Sequence, residues 1–453
     1  MGCGRTERRY SVFRGDAGKV MKRKKTNNKN ILKLLGILVL VLCTGIFMLT
    51  CDNENGNSNN NNNSNGNGNG NGNGNGNGNG GENTVDPFDI SAIDFVRKMR
   101  VGWNWGNQFD AALSGYSSLS VNAMETNWSK ITATKENVDT LQNAGFDIIR
   151  LPVSWTKAAD PARNYKIRDD WMIRITQVVD WAYDNGMYVI LNTHHDSGAD
   201  HSPIFRFYDS NVEASLEAFK LVWEQIAENF KYYEERLIFE PLNEPRSGDW
   251  TGTPEQYRNI NRYYQLFVDT VRATGENNAK RFFLFNTYAA SAGAAAMNGL
   301  VLPEDPAKDK HIVSYHAYVP NNFAFGGASG LRNTTVAWSA SGTNATAITD
   351  PINRFYNKFV KEGIPVIIGE TGATNKNNTE ARSAWAEFYA KSAKEKGMPI
   401  VVWDNYRTAI PADGNNDELF GLLNRATNQF VFPEVIEGLM RGSDPANLPS
   451  LQD

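Results

Sequence analysis

Leu237-Ile238-Phe239-Glu240-Pro241-Leu242-Asn243-Glu244-Pro245-Arg246 is the stretch from which the fold can be read. It opens as an apolar run, the pattern of a parallel-sheet strand covered on both faces, and then breaks into an amide, a carboxylate and a proline. A carboxylate at such a break is poor packing material. Pro245 removes a ladder donor and biases Glu244 away from helical angles, which holds the glutamate at a strand mouth. A second run of the same design, Pro365-Val366-Ile367-Ile368-Gly369, leads into Glu370. Two apolar strands that each deliver one glutamate at the C-terminal end point to an acid and a nucleophile. The alternative, a pair of ordinary loop acids, loses ground because the rest of the chain repeats the design.

From Asp86 to about Arg441 the sequence cycles through helical pattern, glycine, short apolar strand and polar residue. Gly145, Gly186, Gly363 and Gly397 each precede a strand, over Phe146–Arg150, Met187–Asn192, Ile364–Ile368 and Met398–Trp403, and sit where a helix C-cap needs positive φ. Arg100–Trp103, Leu237–Phe239, Arg281–Phe285 and His311–Tyr315 complete eight strands. Helices are expected between them, as over Asp170–Asn185 and Glu213–Phe230, where Leu216, Phe219, Val222, Trp223 and Ile226 recur at helical spacing. Strands alternating with helices imply parallel pairing. Eight such units, with no glycine-rich phosphate loop after the first strand, favour a closed (β/α)8 TIM barrel in an α/β chain with one catalytic domain over an open doubly wound sheet. The expected strand mouths carry Asn104 with Asn107, Arg150, His194 with His195, Asn243 with Glu244, Asn286 with Tyr288, His316 with Tyr318, Glu370, and Trp403 with Asp404. Active sites of this fold are assembled from those ends.

Composition narrows the partner. A net charge of −4 over 453 residues, with no basic stripe among the folded residues, does not suggest a nucleic acid. The 11 Trp, 17 Tyr and 23 Phe are mostly core, yet such a stock also supplies stacking platforms for uncharged sugar rings. The three cysteines, Cys3, Cys43 and Cys51, all precede the expected folded domain, which excludes disulfides, cysteine metal sites and a thiol nucleophile there.

Three segments are expected: 1–51, an extension with a lipoprotein-type signal or anchor; 52–83, an Asn/Gly-rich linker; and 84–453, the catalytic barrel. Lys22-Arg23-Lys24-Lys25 precedes an apolar run from Leu34 to Thr50 and then Cys51, a charged region followed by a hydrophobic one. Met48-Leu49-Thr50-Cys51 resembles a relaxed bacterial lipoprotein cleavage site; an uncleaved signal anchor is the alternative. Either places the rest of the chain outside the cytoplasmic membrane, at the cell surface or secreted, with membrane attachment only through this segment. Residues before Met21 read as an upstream extension of the reading frame. The linker has no apolar residue to bury and is expected to be a flexible tether.

Several mouth residues admit two readings. Arg150 ends an apolar strand and needs an anionic partner; it either keeps a glutamate ionised or forms a structural ion pair. His194, His195, Asp196 and His201 could hold a metal, but neighbours on an extended segment point opposite ways, so His194 and His195 are not expected to chelate together. His316 and Tyr318, two apart, should face the same way and suit hydrogen bonding to a sugar or a carboxylate. Trp403 either stacks beneath a sugar ring or packs in the core.

With these residues lined up, the chain resembles glycoside hydrolase family 5, particularly its bacterial endoglucanase and xyloglucanase branch. The motifs that carry the resemblance are Gly102-Trp103-Asn104-Trp105-Gly106-Asn107 with Asp110-Ala111, Arg150-Leu151-Pro152, Asn192-Thr193-His194-His195-Asp196, Asn243-Glu244-Pro245-Arg246, His316-Ala317-Tyr318, Gly369-Glu370 and Trp403-Asp404-Asn405. The resemblance implies a retaining endo-β-1,4-glucanase acting on cellulose-type β-glucan, with Glu244 as acid/base, held protonated by its surroundings, and Glu370 as nucleophile. It further implies that Asn107, Arg150, His194, His195, Asn243, His316, Tyr318 and Trp403 bind substrate or flank the nucleophile, and that no cofactor or metal takes part. A monomer is the expectation for its assembly, on which the sequence itself is silent. The chain departs from the family pattern at Trp105, Gln108-Phe109, Ser129 and Tyr406, the last standing where glycine is usual, and these changes are expected to bear on which glucan fits. A xyloglucanase, mixed-linkage glucanase, mannanase or xylanase on the same barrel, a metal-dependent hydrolase, and a catalytically silent surface glycan-binding lipoprotein are the rival readings.

Overall fold

The computed structural model describes residues 86–197, 204–207, 212–326, 334–410 and 418–448. The signal or anchor segment 1–51 with Cys51, the linker 52–83 and His201 lie outside the described residues. Eight parallel strands close a barrel: β1 Val101–Trp105, β2 Ile148–Leu151, β3 Tyr188–Asn192, β4 Leu237–Glu240, β5 Phe283–Ser291, β6 His311–His316, β7 Val366–Thr371 and β8 Ile400–Asp404. Each pairs with its sequence neighbours, and β8 returns to β1 with Val101 opposite Ile400 and Trp105 opposite Asp404. Helices follow the strands, among them Lys135–Asn143, Asp169–Asp184, Val212–Phe230, Pro254–Ala273, Gly342–Lys358, Thr379–Lys394 and Pro433–Ser443. The four glycines read as helix stops have φ of 100°, 78°, 81° and 71° at 145, 186, 363 and 397, which is the left-handed cap that lets the chain leave a helix and enter the next strand.

The strand alternation sorts side chains into two sets. The inward positions nearest the strand starts are Ile148, Ile190, Ile238, Leu284, Ile312, Ile367 and Val401, which form one buried cluster inside the barrel. Facing outward, residues such as Val189, Leu237, Phe239, Val313 and Ile368 pack with the surrounding helices in a second, larger core. Two residues further along, the inward positions turn polar: Asn104, Arg150, Asn192, Glu240, Asn286 and Ser314 are all fully buried. Period two thus places a hydrophobic floor directly beneath a polar layer.

An element not foreseen from the sequence seals the bottom. The helix Ala92–Arg97, capped by Ser91, plugs the strand starts with Phe95 stacked on Phe282 at 4.0 Å. Lysines tie it down: Lys310 Nζ donates to the carbonyls of Phe88 and Ile90 at 2.9 and 2.8 Å, and Lys394 Nζ to that of Arg97 at 2.8 Å. A hollow of 740 Å³ lies at this same end, around Lys310 and His311. It is on the opposite side of the barrel floor from the strand mouths, at the end of such barrels that serves stability.

The ends of the strands differ from expectation where chemistry begins. β7 runs through Glu370 rather than stopping before it, and its register slips: Tyr315 pairs with Ile368 but His316 with Glu370, while Ile400 pairs with Ile368 and Val402 with Thr371. The extra residue is a bulge, which reverses the alternation and turns Glu370 inward, where a regular strand after Ile367 would face it out. Glycine is required at 369, since a Cβ there would lie 2.7 Å from Ser314 Oγ and 3.1 Å from His316 Nε2.

The hydrophobic floor is equally tight at β1. A Cβ on Gly102 would meet Ile148 Cβ at 2.8 Å and the Val401 methyls at 3.0 Å. Gly102→Ala is therefore expected to cost about 1–3 kcal/mol by overpacking, read as a lowered denaturant midpoint at unchanged slope; an unchanged midpoint would show that the floor yields freely.

Candidate active site

Arg150, the inward residue of β2, is fully buried, and all five of its N–H donors are used. Nε and Nη2 bond bidentately to Glu240 at 2.7 and 2.6 Å. The second Nη2 proton goes to Asn243 Oδ1 at 2.7 Å, and Nη1 serves both Asn104 Oδ1 at 2.8 Å and Glu370 Oε1 at 2.7 Å. One guanidinium thus links β1, β4, the segment after β4, and β7. Burial works against its charge, but Glu240 and then Glu370 outweigh it, and the arginine is held more firmly protonated than usual. Both expectations for Arg150 come together here: it is a structural ion pair to Glu240 and a partner of Glu370 at once.

Glu370 has its other oxygen, Oε2, bonded by the Tyr318 hydroxyl at 2.8 Å, with His316 Nδ1 at 3.5 Å. The half-buried Tyr318 phenol is pushed well above its ordinary pKa, first by desolvation and then by the charge and hydrogen bond of Glu370, so it stays a donor. His316 Nδ1 also lies 2.9 Å from Glu244 Oε1; facing carboxylates on this side, that nitrogen carries the proton. His316 and Tyr318 do point the same way, to Glu370. Glu244 itself sits four residues beyond the end of β4, and its side chain is 24% exposed against 7% for Glu370. Oxygens of Glu244 and Glu370 lie within 4.8 Å of each other around the His316 imidazole.

The charge state of Glu244 departs from expectation. Burial raises its pKa, but the hydrogen bond from His316, that ring's charge and the charges of Arg246 and Arg150 outweigh burial and hold it below the ordinary carboxylate value. The protein's own groups therefore do not keep this carboxyl protonated. The sequence showed the carboxylate and Arg246 two residues on, but not the His316 imidazole hydrogen-bonded to it or the charge of Arg150.

A cleft of 1410 Å³ runs over the strand mouths. It is lined by Asn107, His194, His195, Asn243, Glu244, His316, Tyr318, Glu370 and Trp403 from the expected set, with Arg150 beneath. Asn107 is held in the left-handed region, φ 58°, while Asp110 accepts from its amide at 3.0 Å. Trp403 is stacked parallel to the His194 ring, 8° and 5.7 Å apart, so it is a cleft wall rather than core. The expectation that His194 and His195 diverge is wrong. Their rings meet edge to face at 4.6 Å, and ligand atoms of Asp110, His194 and His195 gather within 4.8 Å of one another. The strand has already ended at Asn192 and residue 195 is in a turn, so strand alternation no longer applies. Within this group His194 Nδ1 is paired with Asn192 Nδ2 at 3.1 Å, and Asp110 accepts from the Asn107 and Gln108 amides.

Other mouth residues serve the frame. Asp404 is fully buried and accepts from the amides of Tyr406, Leu422 and Leu423 and from Arg425 at 2.7–2.9 Å. Asn286 donates to Glu240 at 2.6 Å, and the Tyr288 hydroxyl bonds the loop at Ser247 and Asp249. Asp196 anchors Trp155 and Thr156. Glu240, the most important residue missed, could have been found: it is in phase with Ile238, so a carboxylate there must point into the barrel. Of the family departures, Trp105, Gln108 and Phe109 are buried behind the cleft; Gln108 Oε1 accepts from Trp105 Nε1 at 2.9 Å and Arg425 Nη1 at 2.8 Å, while its amide reaches Glu125 at 3.0 Å. Ser129 is buried too, bonded to the Ile131 carbonyl at 3.0 Å. These changes compensate one another internally and do not face the cleft.

Two carboxylates this close, one partly open to the cleft and one locked by a cation, across a long cleft at the mouths of a (β/α)8 barrel, define a glycoside hydrolase. Comparison with known proteins agrees. Residues 110–408 match the model of Cellulase (glycosyl hydrolase family 5). Endoglucanase 1 of Ruminococcus albus is 41% identical over 360 residues, covering 77% of this chain and 80% of that protein. Among solved structures, a family 5 lichenase from Caldicellulosiruptor sp. F32 superposes with a TM-score of 0.72 at 36% identity, covering 79% of this chain and 96% of its own. A xyloglucan-specific endo-β-1,4-glucanase from a metagenomic library, solved with cellotriose, gives 0.68 at 36%, covering 77% and 98%. The chain belongs to glycosyl hydrolase family 5.

The pairing of His316 with Glu244 has a consequence for pH. A donor on a carboxylate favours the charged form, so removing it in His316→Ala should raise the pKa of Glu244. If Glu244 must be protonated to act, activity is lost as it deprotonates, and the alkaline limb of kcat/KM should move to higher pH. A limb that stays put or moves down would show that the titration belongs to another group.

Proposed function

We propose that this chain is a retaining endo-β-1,4-glucanase in which Glu370 is the nucleophile and Glu244 the acid/base. The observation that carries the reading is that an oxygen of Glu244 and an oxygen of Glu370 come within 4.8 Å of each other, both beside His316 Nδ1. Retaining glycosidases hold their carboxyl groups about 5–5.5 Å apart, whereas inversion needs about 6.5 Å or more to admit a water. Glu370, bonded by Arg150 and Tyr318, is oriented and supplied with positive charge, as an ionised nucleophile requires. Glu244, more open to the cleft, is placed to reach the leaving oxygen.

In the first half-reaction a proton passes from Glu244 to the glycosidic oxygen, the bond from that oxygen to the anomeric carbon breaks, and Glu370 Oε forms an ester to the same carbon. Glu370 then no longer carries its charge. In the second half-reaction Glu244 takes a proton from water, the hydroxyl attacks the anomeric carbon, and Glu370 leaves as carboxylate. Because the frame draws the pKa of Glu244 down, the proton must be secured by what substrate adds. A glucan laid over the cleft removes water from Glu244 and, by the same exclusion of water, strengthens its repulsion from the Glu370 carboxylate; both raise its pKa. Esterification of Glu370 removes that second influence and returns Glu244 to the base form the next step needs.

The cleft exceeds the roughly 300–1,000 Å³ of an ordinary small-molecule pocket. Its lining draws on Trp128 and Glu418, from the segments after β1 and β8, and on Trp250 and Arg354, from the segments after β4 and β6, and a cleft of that reach suits an internal stretch of polysaccharide. The names of the relatives support β-1,4-glucan, and among them are a lichenase and a xyloglucan-specific enzyme. Glu370→Ala should lower kcat by several orders of magnitude while substrate still binds, measured as reducing ends released from carboxymethyl cellulose, with mixed-linkage glucan, xyloglucan, mannan and xylan in parallel. Near-normal turnover in that variant would refute the assignment, and activity confined to mannan or xylan would replace the glucan.

A further inference from the structure

Tyr406 stands just past β8 with φ 64°, in the left-handed region that a residue with a bulky side chain adopts only when its surroundings impose it. Two bonds impose it here. Its amide donates to Asp404 Oδ1 at 2.8 Å, and that carboxylate is itself fixed by Leu422, Leu423 and Arg425. At the other end of the side chain, the phenol donates to the backbone carbonyl of Trp128 at 2.8 Å, across 278 positions of sequence. The strained backbone and the long-range bond belong together: the left-handed turn is what aims the ring from the β8 loop to the loop after β1.

Trp128 is a wall of the cleft, half-buried, with its ring edge-on to His195 at 5.4 Å. The strand order fixes which half of the cleft this is. Glu244, with Arg246 and Trp250 beyond it, follows β4; Asn107 and Trp128 follow β1, and Trp403 closes β8 next to it. Since Glu244 protonates the leaving oxygen, the leaving half of the glucan lies towards Arg246 and Trp250, and the half that becomes attached to Glu370 lies towards Trp403 and Trp128.

We propose that Tyr406 is a positioning residue that pins the Trp128 loop, so that the Trp128 ring is presented to a glucosyl unit on the glycone side beyond the one attacked. The inference rests on the endoglucanase reading and extends it to a residue that does not itself line the cleft. Rates should depend on glycone length through a side chain remote from the carboxylates.

The test uses aryl β-glycosides of glucose, cellobiose, cellotriose and cellotetraose with the wild type, Tyr406→Phe, Tyr406→Gly and Trp128→Ala, following kcat and KM separately together with the thermal midpoint. In the wild type kcat/KM should step up at the glycone length that reaches Trp128, and Trp128→Ala should lose that step. Tyr406→Phe, which keeps the ring and loses one hydrogen bond, should reduce the step by about 3- to 10-fold through KM, with kcat and its pH profile unmoved. Tyr406→Gly accepts the left-handed turn without strain and should lose the step with no fall in thermal midpoint. The proposal is overturned if Tyr406→Phe matches wild type at every length, if its loss is equal at all lengths, or if the wild type shows no step. Wild type inactive on every glycoside and on glucan would instead sink the endoglucanase reading, and this inference with it.

Discussion

Each donor left unpaired on a buried guanidinium costs stability, and the active site can be understood as the answer to that constraint at Arg150. Its five protons need acceptors, and the acceptors come from β1, β4, the segment after β4, and β7. Leaving one partner out of such a pair costs about 3–5 kcal/mol because the other charge stays buried. The arginine therefore couples the chemistry to the barrel: Glu370 cannot wander, since moving it strands a donor, and Asn243 is drawn in just before Glu244. Glu240 takes the structural share of the charge, which leaves Glu370 with a single guanidinium contact and a face open to the cleft.

The strands beneath supply the precision. Their inward residues are hydrophobic at the first level and polar at the next, so the polar groups rest on a floor with no water access from below, and the Ala92–Arg97 helix seals that floor. The bulge at Gly369 then makes the one necessary exception to alternation. Without the extra residue Glu370 would face the helices, and a glutamate there would be a buried charge out of reach of Arg150 and Tyr318.

How much of this was legible in the sequence follows from which interactions are local. The glycine stops, the apolar strands and the polar residues after them are local patterns, and they sufficed for the barrel and for most of the cleft, including Glu244, Glu370, Arg150, His316 and Tyr318. Where alternation was trusted too far the reading failed: His194 and His195 lie past the strand end and converge. Asp404 and Asn286 looked like site residues because they stand at strand mouths, yet they spend their hydrogen bonds on loop amides and on Glu240. The pKa of Glu244 depends on His316, Arg246 and Arg150, of which two are distant in sequence, and no pattern around residue 244 could have revealed them. The same holds for Tyr406, whose partner Trp128 is nearly three hundred positions away.

The central claim is that the frame around Arg150 fixes Glu370 beside Glu244 and aims it at the anomeric carbon, so that the protein itself attacks rather than a water. The stereochemistry of the first product decides this directly. Proton NMR of the anomeric signals in the first minutes of cello-oligosaccharide hydrolysis, before mutarotation, should show the β-anomer accumulating ahead of the α-anomer. The α-anomer appearing first would mean that water attacks in a single step and that Glu370 is not the nucleophile.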